Sequence, residues 1–476
     1  GEPGRQLALR VAAMRFPRPA LCLAVAAALS SGGGAVAEQA AAPAPALQLT
    51  LSQADAMAQA ALQQGQPRLA YDLSKGLLQA DRRNEQAHYY QAVALAQADA
   101  WGAAGRAAAR AYRHAKSDGQ RYQAANLAAR LSFAGDRFTA SQFWLRRAVD
   151  HADGDVARAQ TIRAFERVRR HNPLNFKLRF SVSPSDNVNN GATSPLNVID
   201  GVPVVGVLSP GARALSGVVA TTRMRGTYRV DAGEGHETRL KGRVTSRRVR
   251  LSDKVAGLSG GDLSSTVGEI GVSHYIVGGS EAVTWKLDLD GGRVWYGGDP
   301  LYDYARLGVR RHQKLAGRLT LSFGGYAEAQ QDEADRGADS TVASAFAGLG
   351  WRLDGGARLG VKVQYRDTDS DGVNRASDQW TGIASYRMGR SVGPAELEFA
   401  LGVSTLDFGR YSVGFIPVPG GRRDESVFAS VTATFDDVSY MGFVPTLSVT
   451  TERSRSNVSR FDVDETSLTL GMRSEF

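Results

Sequence analysis

From Phe176 onward the chain alternates apolar and polar residues in runs of about ten to sixteen, and nothing else constrains its fold so tightly. Phe176, Leu178, Phe180 and Val182 alternate with Lys177, Arg179, Ser181 and Ser183. Val283, Trp285, Leu287 and Leu289 alternate with Thr284, Lys286, Asp288 and Asp290, and the same holds for Leu359 to Tyr365 and Leu397 to Val403. Period two sends the two sets to opposite faces of a strand. An ordinary globular strand runs about five or six residues, whereas a tilted strand crossing a bilayer needs about nine to eleven. Counted through the chain these runs give about fourteen strands, an even number as single-chain bacterial barrels require. The pattern predicts a transmembrane antiparallel β-barrel over 173–476.

Connection lengths alternate as well. Short ones fall at 231–235, 277–280, 312–317, 353–356, 388–393 and 436–441. Longer ones fall at 187–213, 251–261, 290–300, 330–340, 367–378, 407–424 and 454–465. Short periplasmic turns and long external loops are the rule for such barrels, which places the start of the first strand in the periplasm. The last strand carries an assembly signal of the form polar-x-Gly-x-x-apolar-x-aromatic. Thr469, Gly471 and Phe476 fit it, while Ser474 stands where an apolar residue is usual. That signal implies outer-membrane lipid and the barrel-assembly machinery as partners.

Composition excludes the main rivals. At 22% charged residues, no helical membrane bundle fits 476 residues of this kind. A single cysteine excludes a disulfide framework. The net charge of +9 is spread over strands with no nucleic-acid module, so no nucleic acid is expected. Residues 1–13 read as an upstream, non-native extension. Residues 14–37 read as a signal peptide, with basic Arg15 and Arg18, an apolar stretch and Ala35-Val36-Ala37 as cleavage site. An Ala/Pro linker covers 38–47.

Residues 48–172 change to Ala, Gln, Leu and Arg with helical spacing, predicting an all-α periplasmic domain. Small residues Ala70, Ala104 and Ala140 recur near the 34-residue period of tetratricopeptide (TPR) hairpins. A larger or core-type residue follows each, at Leu73, Ala108 and Trp144, as repeat packing needs. A generic helical bundle is the alternative.

The junction reads Asn172-Pro173, then Pro184 with Asn187, Asn189 and Asn190. This barrel-entry motif resembles that of the Slam family, the surface lipoprotein assembly modulators. The plan of periplasmic repeats before a fourteen-strand barrel is similar to theirs across nearly the whole chain. The resemblance implies a translocator that captures client lipoproteins, or related soluble proteins, and passes them to the cell surface. Two other plans stay open: a polysaccharide export porin with periplasmic repeats, and a passive outer-membrane channel. Read from the residues alone, the asparagines either brace a loop or touch a client.

Little points to chemistry. The seven histidines show no HExxH or paired metal spacing, so no catalytic, cofactor or metal site is expected, and the chain reads as a monomer that makes and breaks no bond. The polar faces say more. Arg223, Arg225 and Arg229 on the second strand adjoin Arg239, Lys241, Arg243 and Arg247 on the third, all on the parity predicted to face the lumen. They form either a cationic wall for anionic cargo or half of an ion-pair lattice with Asp288, Asp290, Glu396 and Glu398.

Overall fold

A computed structural model describes residues 49–194, 196–200, 202–278, 283–333, 338–438, 440 and 442–474. The extension 1–13, the signal peptide 14–37, the linker 38–47 and Phe476 of the assembly signal lie outside the described residues.

Seven helices come first: α1 (Leu51–Gln63), α2 (Pro67–Ala80), α3 (Glu85–Gln97), α4 (Trp101–His114), α5 (Asp118–Ala134), α6 (Phe138–Asp150) and α7 (Gly154–His171). Each packs on the next in sequence. Asn84 caps α3 through the backbone N–H of Ala87, and Ser117 with Gln120 forms a capping box on α5. Turns between helices use residues with positive φ, Gly65 at 69°, Asp99 at 55° and Asp136 at 54°. The core of the array is built largely from alanine: Ala92, Ala104, Ala107, Ala108 and Ala128 are fully buried around Leu127 and Leu131. Small side chains let helices approach closely, and partly buried Tyr89, Trp101 and Trp144 fill the space beside them. Ala70 and Ala104 occupy buried positions. Ala140 does not: it is half-buried, and Ser141 takes the buried place, donating its hydroxyl to the Ala129 carbonyl at 2.8 Å. The cause is spacing. α2 and α4 open at Pro67 and Trp101, but α6 opens only at Phe138, so the equivalent position slides along the chain.

The strands follow: β1 (Leu174–Ser185), β2 (Leu196–Ile199), β3 (Val202–Val207), β4 (Gly217–Gly233), β5 (His236–Leu251) and β6 (Ser265–Val277). Next come β7 (Val283–Tyr296), β8 (Asp299–Ala316), β9 (Leu319–Asp332), β10 (Ser340–Arg352), β11 (Arg358–Ser370) and β12 (Ser377–Arg387). The last are β13 (Glu396–Phe408), β14 (Ser412–Val413), β15 (Ile416–Pro417), β16 (Arg422–Thr434), β17 (Phe443–Ser456) and β18 (Val463–Ser474). β2–β3 and β14–β15 are small hairpins inside loops; the other fourteen close one antiparallel barrel, with β1 between β18 and β4.

The exterior is apolar. Phe180, Met224, Ile270, Leu289, Leu307, Leu349, Leu401, Val427 and Leu470 all stand exposed on outward-facing positions. Exposed Phe176, Tyr228, Trp285, Trp351 and Tyr386 rim the end nearest the helices, and Tyr296 and Trp380 the opposite end. A closed sheet with an apolar belt between aromatic girdles is a membrane-spanning barrel, because closure leaves no unpaired edge in lipid. One predicted loop is absent. In place of a long connection over 290–300, β7 and β8 continue to a two-residue turn at Gly297 (φ 66°) and Gly298 (φ 100°). Paired positive-φ residues are the twist-matched hairpin turn, so the strands run on to meet it.

Candidate functional site: a three-sector lumen and its helical mount

Interior-facing side chains divide the lumen by chemistry. On β5 to β9 they form a dense ionic net. Lys241 Nζ lies 2.5 Å from Asp288 and 2.7 Å from Asp290, and Lys286 and Ser273 also bind Asp288. Glu269 accepts from Arg243 at 2.7 Å and from the Tyr304 hydroxyl at 2.7 Å, with Arg306 at 3.5 Å. Arg306 continues to Glu328 at 2.5 Å. A cavity of about 340 Å³ lies among these groups. From β10 to β17 the interior carries hydroxyl and amide pairs, such as Gln364–Ser344, Thr381–Ser404, Ser426–Ser454 and Thr432–Ser448, with Lys362 and the ion pairs Arg387–Glu396 and Arg422–Asp424 among them.

The third sector is β18, β1 and β4, and here cations face cations. In register, Lys177 pairs with Arg225, which in turn pairs with Arg243 on β5. One step on, Arg179 pairs with Arg223 on one side and Arg473 on the other. Arg243 has Glu269, and Arg473 has Asp436 at 3.8 Å. Among the described residues, Lys177, Arg179, Arg223 and Arg225 have no carboxylate within ion-pair distance, and all four are exposed on the inner wall. Like charges directly opposite on neighbouring strands destabilise a sheet.

The structure therefore splits the seven basic residues singled out in the sequence. Lys241 and Arg243 belong to the net. Arg239 is held by Glu237 at 2.8 Å. Arg247 donates to the carbonyls of Val188 and Leu263 at 2.6 and 2.9 Å. Arg229 reaches out of the barrel to the carbonyls of Arg170 and His171 at 3.0 and 3.2 Å, capping the C-terminus of α7. Only Arg223 and Arg225 stay bare. Of the ion-pair alternative, Asp288 and Asp290 are taken up by Lys241, whereas Glu396 pairs with Arg387 beside it, because β13 lies far around the barrel from β4. Sequence reading missed Lys177 and Arg179 as part of the wall. Their alternation with Phe176, Leu178 and Phe180 was visible, but only closure sets β1 beside both β4 and β18.

The barrel-entry motif works at both ends of β1. Asn172 binds the backbone N–H of Leu174 at 3.0 Å with its side-chain carbonyl, and donates to Thr139 and Gln142 of α6 at 3.2 and 2.6 Å. Pro173 extends the β1–β4 ladder by accepting from the Arg229 N–H at 2.8 Å. At the far end Pro184 lies in a gap of the β1–β18 pairing, which is otherwise in register from Arg179↔Arg473 to Val182↔Leu470 and again at Ser185↔Ser467. Buried Asn187 closes a loop on Gly191 in both directions, at 2.9 and 2.7 Å. Asn189 donates to Gly211 and Arg213 and accepts from the Leu215 N–H. Asn190 takes the turn's positive φ of 54°. These braces seat Val188 against Val249 and Leu263, with Val219 and Leu251 beside them, so the loop packs on inward-facing residues of β4 and β5.

Of the assembly signal, Thr469 donates to Ser183 across the β1–β18 seam at 3.1 Å. Gly471 leaves room for Thr446, whose hydroxyl lies 2.6 Å from where a Cβ would stand. Ser474, the departure from the usual apolar residue, accepts from Arg146 of α6 at 3.2 Å, and Arg146 also lies over the rings of Phe165 and Phe443. A polar residue there serves the helical mount. Between α7 and the barrel mouth lies a cavity of about 690 Å³, lined by Arg169, Arg170, Asn175, Thr227, Arg229 and Arg239 among others. Among the described residues no cluster of metal-ligating side chains occurs.

No family model matches this chain, and no curated protein does. Among solved structures it is similar to in-vitro folded OmpT, an outer membrane protein of Vibrio cholerae, at 10% identity over 64% of this chain and 99% of that one, TM-score 0.34. It is also similar to OccAB3 of Acinetobacter baumannii, at 8% identity over 63% of this chain and 99% of that one, TM-score 0.35.

Proposed function

We propose that this chain is an outer-membrane translocator of the surface lipoprotein assembly type. The helical array receives a protein client in the periplasm, and the barrel passes it to the cell surface. One observation carries this reading: the array is bolted to the mouth of the lumen. Arg229 of the barrel wall caps the last carbonyls of α7, Asn172 ties α6 to the first strand, and Arg146 ties α6 to the last. A cargo held by the helices is thereby delivered to the 690 Å³ vestibule and the basic sector beyond it. A passive pore gains nothing from such a mount. The client and the barrel-assembly machinery are the partners the proposal requires, and no bond chemistry enters it.

The test compares cells carrying the full chain with cells carrying the chain without residues 48–172. Surface proteins are labelled with a membrane-impermeant biotin reagent, and barrel abundance is followed by heat-modifiable gel mobility. The expected result is loss of particular proteins from the labelled set at unchanged barrel abundance. An unchanged protein set with altered surface glycan would point to polysaccharide export. An unchanged set of both would sink the proposal.

A further inference from the structure

We propose that Lys177, Arg179, Arg223 and Arg225 form a binding strip for an extended acidic stretch of polypeptide cargo, with carboxylates at alternate residues. This rests on the reading of the barrel as a protein route and names the cargo chemistry. Three observations converge. The four cations stand in two cross-strand rows, Lys177↔Arg225 and Arg179↔Arg223, with like charge directly opposite like charge. Neighbouring interior cations are neutralised: Lys241 by two aspartates and Arg243 by Glu269, whereas these four have no carboxylate partner among the described residues. All four are exposed although they face inward, so the lumen is open to a ligand beside them.

Geometry selects the ligand. Along β1 and along β4 the cations repeat every second residue, about 6.7 Å, and the two strands lie about 5 Å apart. An extended peptide presents same-face side chains at the same two-residue period. Alternating acidic residues therefore meet the ladder in step, and each carboxylate lies between a cation of β1 and one of β4. The repulsion built into the empty sheet is relieved when that cargo arrives. The strip lies above the vestibule at α7, on the same strands that hold the array, so cargo leaving the vestibule meets it next.

The experiment uses the full chain purified in detergent and a fluorescent peptide of alternating Glu and Thr, read by anisotropy over a salt series. Binding is expected, weakening steeply with salt, and falling by about tenfold or more in K177Q/R179Q/R223Q/R225Q. The outward-facing control R248Q/R250Q is expected to bind as the parent does. Folding of each variant is read by heat-modifiable mobility. The pairs K177Q/R179Q and R223Q/R225Q, each expected to lose part of the binding, keep the test intact if the fourfold variant does not fold. Equal binding by parent and folded variants would overturn the proposal. So would tight binding of dextran sulfate with none of the peptide, which would assign the strip to an anionic polysaccharide. Peptide binding lost in the variants but no change in surface proteins on removing the helices would leave the strip standing and refute the translocator reading instead.

Discussion

Lys241 holds Asp288 and Asp290 together, and Asp290 is 6% exposed. Replacing Lys241 by Met leaves Asp290 without its cation beside Asp288, which keeps only Lys286 and Ser273. Breaking such a pair costs about 3–5 kcal/mol when fully buried, and less where lumen water reaches it. Lys241→Met is therefore expected to lower the temperature at which the barrel loses its folded gel mobility, and adding Asp288→Asn to recover part of the loss. No shift in the single variant would refute a structural role for the net. Arg225→Gln has the opposite expectation, since it removes a like-charge contact with Lys177 and Arg243: stability holds or rises. The same contrast applies to acid sensitivity in the helices. Burial pushes the His88 imidazole below its ordinary range; the contact of its Nε2 with the Arg82 carbonyl at 3.2 Å works against this, and the nearby Arg110, His114 and Arg113 add to it. Its Nδ1 has no hydrogen-bond partner, and its ring stacks on His114 at 5.4 Å. The unfolded chain takes up the proton near the ordinary value of about 6.5 and the folded one resists it. This contribution to stability is complete above about pH 6.5 and is lost as pH falls toward the depressed folded value. His88→Gln is expected to narrow the drop in melting temperature between about pH 7.5 and about pH 5.5; an equal drop in both proteins would refute it. Asn187 and Asn189 brace a loop, one of the two roles that their spacing left open. The roles of Arg229 and Arg247 were not legible, because their partners are backbone carbonyls distant in sequence.

Helices and strands were legible nearly throughout, since periods of 3.6 and 2 are local properties. Where expectation and structure part, a turn decides. Gly297 and Gly298 replace a long loop, and the longer step from α4 to α6 shifts the buried small residue from Ala140 to Ser141. The alanine core has a direct consequence. Ala104 is fully buried, at 0% exposure, among Ala92, Ala107 and Ala108. Ala104→Leu is expected to cost about 1–3 kcal/mol by overpacking, measured by thermal unfolding followed by helical circular dichroism. Residues 48–172 expressed alone are expected to give a helical spectrum in aqueous buffer. A disordered spectrum would show that the array depends on its barrel contacts at Asn172 and Arg146.

The closed order of strands is what sequence could suggest but not arrange. Strand number and alternation pointed to a barrel, yet the meeting of Lys177 and Arg179 with Arg223, Arg225 and Arg473 exists only because β1 closes on both β4 and β18. The same closure brings the chain's last described strand against the helices it follows by hundreds of residues, through Arg146 and Ser474. Transport by handover through the lumen is the proposal that this mount supports. It is tested most directly by a photo-crosslinking amino acid placed in living cells at Thr227, on the inner wall between vestibule and strip, and as a control at outward-facing Met224. An adduct is expected at Thr227, absent at Met224, with a protein whose surface exposure depends on residues 48–172. Full surface exposure of that protein with no adduct at Thr227 would contradict it.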